Sequence, residues 1–172
     1  ARPAHRDSRA PPPGYPPAAR ITPLRHPDQD GVADYKAPLT ENLHSPFGMA
    51  LVGSTFYVAN TDAVLAFPYE QGQTRISASG GLIARLPANA PNSHWTKNLL
   101  AHPNGESLFV AIGSNSNIGE LGPEAEQGRA GIWRLDLTTR NLVPFAKGLR
   151  NPVGMAWHSP TDTLWTVVNE RD

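Results

Sequence analysis

Two histidines and an arginine stand at matching places in a chain that repeats itself. Ser45-Pro46-Phe47-Gly48-Met49-Ala50 is echoed by Asn151-Pro152-Val153-Gly154-Met155-Ala156, and Asn98-Leu99-Leu100-Ala101-His102-Pro103 is a weaker copy between them. His44 lies four residues before Gly48, His94 four before Asn98, and Arg150 four before Gly154. An imidazole titrates near pH 6.5 and can take up a proton in the working range of most enzymes. A guanidinium stays protonated and offers five N–H donors to anionic or carbonyl oxygens. If the three loops face one channel, these groups converge on a small molecule. If they do not, each simply hydrogen-bonds nearby backbone.

Two acidic stretches compete for attention. His26-Pro27-Asp28-Gln29-Asp30-Gly31-Val32-Ala33-Asp34 has the Asp-x-Asp-Gly spacing of calcium loops, without a downstream bidentate glutamate or flanking helices. A surface hairpin turn with solvated carboxylates is the expected form of Asp28, Asp30 and Asp34. The long loop Ser114–Arg129 holds Glu120, Glu124 and Glu126 among Gly and Asn residues, and these too are expected to be solvated. His5, His102 and His158 show no metal-ligand spacing.

The elements that must position these residues are strands. After each repeat motif comes a turn and a β-rich run: Thr55–Asn60, Ser107–Ile112 and Thr163–Val168. The runs recur at intervals of roughly 50 residues, the period of propeller blades built from four short strands each. Further strands are expected at Ala63–Tyr69, Leu82–Pro87, Gly131–Leu137 and Leu142–Phe145, with a short turn over Phe145–Leu149. The expected fold is therefore all-β: a β-propeller represented by two to three four-stranded blades, with the domain over residues 21–172. Closed propellers have about four to eight blades, so the remaining blades are expected on further residues or on another chain. Residues 1–20 hold Pro3, Pro11, Pro12, Pro13, Pro16 and Pro17 and should form an extended or disordered arm.

Composition narrows the function. Lys+Arg 15 against Asp+Glu 15 leaves no basic footprint for nucleic acid, and no apolar run reaches the roughly 20 residues of a membrane helix. The absence of cysteine excludes disulfides, thiolate zinc sites and a cysteine nucleophile. It is compatible with the expected periplasmic or secreted location, although no signal peptide is visible.

Several motifs in order add a resemblance: Pro91-Asn92-Ser93-His94-Trp95-Thr96-Lys97-Asn98-Leu99-Leu100, Gly113-Ser114-Asn115-Ser116-Asn117, Gly148-Leu149-Arg150-Asn151-Pro152-Val153-Gly154 and Asn169-Glu170-Arg171-Asp172. From about Arg20 onward the chain resembles the pyrroloquinoline-quinone (PQQ)-dependent glucose/sorbosone dehydrogenases, in their L-sorbosone dehydrogenase branch. The resemblance implies a six-bladed propeller with PQQ over the channel and calcium beside it. It implies that His94 is the general base, that Arg150 and Asn151 contact the cofactor, and that the substrate is a sugar or aldehyde. Lysines and arginines of later blades, which meet PQQ carboxylates in that family, have no counterpart here, and the calcium site begins where this sequence stops. The chain alone is therefore expected to be an inactive fragment. Two alternatives stand beside this one. A propeller lactonase of the gluconolactonase type would need a metal on Glu170, Asn151 and Asn60 and would leave His94 and Arg150 unexplained; a binding propeller would do no chemistry.

Overall fold

The computed structural model describes residues 19–25 and 30–170. The expected arm, apart from Ala19 and Arg20, lies outside them, as do Asp28, Arg171 and Asp172. Ala19 is already tied to the domain, its carbonyl accepting from Leu43 N at 2.8 Å.

Two short strands come first, β1 (Leu24–Arg25) and β2 (Tyr35–Lys36), paired antiparallel. Residues 26–29 of the expected hairpin turn lie outside the described residues; in the described part Asp30 Oδ1 accepts from Val32 N at 2.7 Å. A four-stranded sheet follows in sequence order: β3 (Met49–Val52), β4 (Thr55–Ala59), β5 (Ala63–Pro68) and β6 (Gly81–Arg85). A second has the same antiparallel order: β7 (Lys97–Ala101), β8 (Ser107–Ile112), β9 (Gly131–Asp136) and β10 (Leu142–Lys147). The third repeat supplies β11 (Pro152–His158) and β12 (Thr163–Val168), which among the described residues pair with each other alone. Two 3₁₀ turns, Pro123–Glu126 and Ser159–Thr161, are the helical content among the described residues. No helix there is long and apolar enough to cross a membrane.

These meanders stack side by side as blades, in an open arc rather than a closed ring. The first strand of the middle blade, β7, packs against the first strands of both neighbours, β3 and β11. Backbone meets backbone there. Gly48 N donates to the Lys97 carbonyl at 2.9 Å, and the Asn98 side-chain amide donates to the Val153 carbonyl at 2.6 Å. A Cβ on Gly48 would lie 2.5 Å from that Lys97 oxygen and closer still to Leu99 N, so only glycine permits the approach.

The core follows from alternation along β8, which is buried at all six positions. Leu108, Val110 and Ile112 join Tyr57, Ala59 and Val64 of the first blade. Phe109, pointing the opposite way, stacks on Trp157 of β11 at 5.4 Å and meets Phe145 edge-on at 4.8 Å. Burial on both faces explains why this strand is a continuous apolar run rather than an alternating one.

One local expectation fails. Phe145–Leu149 is not a turn, because β10 continues through a bulge at Pro144/Ala146 to Lys147. Gly131 lets its own backbone come up against the Ala146 carbonyl, and Gly148 at φ 80° ends the strand only after that contact.

Candidate functional site

His94 sits three residues before β7, on the loop that enters the innermost strand of the middle blade. Its Nδ1 lies 2.8 Å from the Ser114 carbonyl oxygen. A carbonyl can only accept, so Nδ1 carries the proton and the neutral ring keeps its lone pair on Nε2. Desolvation is the main influence on its basicity and lowers its pKa below the ordinary value; the Ser114 bond works the other way and the Arg150 charge reinforces the drop. His94 is thus neutral at pH 7, with one nitrogen available as a base.

Arg150 enters the same region from the loop before β11. Its Nε donates to the Asn117 carbonyl at 2.8 Å, its Nη2 to Asn117 Oδ1, and its Nη1 to the Asn169 carbonyl at 2.9 Å. Of five N–H donors, two are left for a ligand. Asn151 is buried beside it, and its Oδ1 has no hydrogen-bond partner. Gly113 is what lets these groups close up, since a Cβ there would stand 2.5 Å from His94 Cβ and 2.6 Å from Asn151 Oδ1. A cleft of about 420 Å³ is lined by Ser114, Asn117, Glu126, Arg150 and Glu170, among others, a volume within the range of small-molecule sites.

Of the three repeat-equivalent residues, the structure brings two together. His44 makes a separate, exposed pair, its Nδ1 3.1 Å from the Asp62 carboxylate. Among the described residues it shares no hydrogen bond or ion pair with His94 or Arg150.

The surroundings contain three charged groups whose place in the site the sequence did not disclose. Lys97, at 0% exposure, has Trp95 O as its hydrogen-bond acceptor, at 3.1 Å. Burial first, and the Arg129 charge second, push its amine down to about 7. Arg129 is buried too; it donates to Asn92 Oδ1 at 2.7 Å and to Pro87 O at 3.1 Å, with Nη1 unpartnered. Glu126 was expected to be solvated, and it is not. Ser114 Oγ and Ser116 Oγ each reach its Oε1 at 2.8 Å, and Asn115 N reaches Oε2 at 3.0 Å. Partial burial opposes its ionisation, but these bonds and Arg129 hold its pKa below the usual carboxylate range. Glu120 does remain at the surface, capping Ile118 N at 2.7 Å and Asn117 N at 3.2 Å.

Among the described residues no three His, Asp or Glu groups converge to hold a metal ion. Glu170, which a lactonase metal would need, lies instead 3.4 Å from Arg150 N as its acceptor.

The sequence model of a family described as TrAA12-like matches residues 22–172. No curated protein matches the chain. Among solved structures it is similar to the calcium structure of the Trichoderma reesei carbohydrate-active enzymes family AA12, with 21% identity and a TM-score of 0.71 over 91% of this chain and 42% of that one. The iodide structure of the same T. reesei family gives 20% identity and a TM-score of 0.69, over 89% and 41%. The holo form of the pyranose dehydrogenase PQQ domain from Coprinopsis cinerea gives 15% and 0.66, over 84% and 38%. At these identities the likeness establishes the propeller fold alone, and the chain spans less than half the length of each of these structures.

Proposed function

Because the chain belongs to the TrAA12-like family, we propose that it contributes the base-bearing part of a PQQ-dependent oxidoreductase acting on a sugar or sugar-derived aldehyde. One observation supports this above the others: the Ser114 carbonyl fixes His94 as the Nδ1–H tautomer, beside a guanidinium held by the same short segment. That the C. cinerea neighbour is named a pyranose dehydrogenase PQQ domain agrees with this reading. The finer assignment to the sorbosone branch rests on the sequence motifs.

The residues present fit the cofactor. PQQ carries carboxylates and quinone carbonyls, all acceptors, and Arg150 has two N–H donors unused. The orphaned Oδ1 of Asn151 calls for a donor, which a substrate hydroxyl supplies. Bound PQQ supplies a two-electron acceptor for the substrate's hydride. His94 Nε2 takes the proton of the substrate hydroxyl, leaving the positive charge on an imidazolium whose Nδ1–H already faces an acceptor. Arg150 binds and orients through its free N–H groups. Gly113 keeps these side chains in contact, and partial burial keeps His94 neutral.

The test is a titration with PQQ of this chain together with the further blades expected for a closed propeller, followed by the quinone absorption. Binding should saturate, and Arg150→Ala should weaken it about 10- to 100-fold, the worth of a hydrogen bond to a charged group. His94→Ala should leave it nearly unchanged. Absence of saturable binding, or wild-type affinity in Arg150→Ala, overturns the proposal.

A further inference from the structure

The loop Gly113–Ala130 does more than line the cleft. Ser114-Asn115-Ser116-Asn117 grips three separate parts of the site. The Ser114 carbonyl holds His94 Nδ1, and Asn115 Oδ1 accepts from Asn92 N at 2.8 Å, two residues before the base. Asn117 holds Arg150 through both its carbonyl and its side-chain oxygen, while Ser114 N donates to the Arg150 carbonyl at 2.7 Å. This segment is irregular, with no strand partner to keep it in shape. Ser114, Asn115 and Ser116 are nonetheless all buried, so a single conformation must be imposed from elsewhere. The carboxylate of Glu126 is the group in position to do so, engaging three consecutive residues of the segment with two oxygens. The Ser116 hydroxyl that it orients also accepts from Gly119 N at 3.0 Å, which closes the turn that follows.

We propose that Glu126 is a positioning residue, whose bonds to Ser114, Asn115 and Ser116 set the Ser114 carbonyl against His94 and so dictate which ring nitrogen is left as the base. Its catalytic consequence rests on the reading of His94 given above; its effect on the ring does not. A glutamine would keep one acceptor oxygen: with that oxygen on the two hydroxyls its NH₂ group faces Asn115 N, donor against donor, and with the amide turned over both hydroxyls lose the oxygen they donate to. The segment would then shift and the Ser114 carbonyl would leave Nδ1.

The experiment is nitrogen NMR of the His94 imidazole in the wild type and in Glu126→Gln, above the pH at which the ring protonates. The wild type should show the Nδ1–H tautomer, and Glu126→Gln should move the tautomer ratio about 2- to 10-fold toward Nε2–H, the worth of one hydrogen bond between neutral groups. In the protein that carries the further blades, turnover should fall about 10- to 100-fold in kcat with a smaller change in KM, as expected for a misplaced catalytic group. Should Glu126→Gln not fold, Ser116→Ala, which removes one bond to the carboxylate, should move the ratio in the same direction by less. A variant that melts at lower temperature but keeps His94 wholly as Nδ1–H overturns the proposal and leaves Glu126 a strap for the loop alone. A shifted tautomer in Glu126→Gln, together with wild-type turnover in His94→Ala, would uphold the positioning and remove the base assignment.

Discussion

The loops entering the first and second blades occupy the same place in the repeat, yet the structure makes a site of one only. In the first blade the connection after the second strand is the tight turn Asn60–Asp62. His44 there finds a single exposed carboxylate, and its backbone carbonyl accepts from Thr61 N at 3.1 Å within its own blade. In the second blade the same connection swells to Gly113–Ala130. Its early residues bond to His94 on one side and, across the blade boundary, to Arg150 on the other. The repeat places a histidine; the loop that follows two strands later decides whether that histidine is held, dried and given a neighbour.

The largest expected effect tests that contrast head-on. In the protein that carries the further blades, His94→Ala should lower turnover on the order of 10²–10⁴-fold, whereas His44→Ala, which removes one exposed contact with Asp62, should change it less than about twofold. Steady-state kinetics on the pair of variants decides the matter, and equal losses would mean that the two loops are functionally alike after all.

The inner strands offer a second contrast. Gly48→Ala drives a methyl into backbone atoms of Lys97 and Leu99, which cannot swing aside, and should destabilise by about 2–4 kcal/mol. At its repeat partner, Gly154, the contact is Val167 Cγ2 at 2.8 Å, a side chain able to give way. Gly154→Ala should cost less than half as much in urea denaturation. If the order is reversed, close backbone approach is not what joins the first two blades.

The smallest effect concerns Lys97, whose repeat-equivalents are Phe47 and Val153. Its amine titrates near 7 when folded, against 10.5 in the unfolded chain. Between those values the unfolded state binds more protons, so stability should rise as pH is raised from about 7 to 10.5 and carry the full penalty below 7. Lys97→Met should gain on the order of 1–3 kcal/mol at pH 7 and flatten that slope. A variant that melts lower at pH 7, with the slope intact, would show that the bond to Trp95 O outweighs burial.

Much of this was legible in the sequence because it is written in local pattern. Thr55–Ala59, Ser107–Ile112 and Thr163–Val168 are apolar runs bounded by turn residues, and each is a strand within a residue of its expected limits. His94, Arg150 and Asn151 were singled out through repeat position and resemblance, and the fold places them near one another. What stayed hidden depends on distant partners. A glutamate among glycines and asparagines looks solvated, and nothing local says that Glu126 folds back onto Ser114–Ser116. Lys97 reads as the polar start of a strand, because its burial is created by residues such as Arg129 that lie far along the chain. The bulge that carries β10 on to Lys147 likewise answers to Gly131, on a different strand.

Strand β8 governs how such a stack comes apart. Each blade touches only its neighbours, so opening proceeds one interface at a time, as in other repeat arrays. The outer sheets can loosen while the middle one stays shut, but β8 cannot move without dissolving the aliphatic contact on one face and the aromatic one on the other. Its amides should therefore be the last to exchange their hydrogens for deuterium, after those of β12, whose Trp165 and Val167 face solvent. The loop that holds His94 grows directly out of this slowest-opening strand, so His94 and its neighbours stay assembled through fluctuations that unravel the flanks.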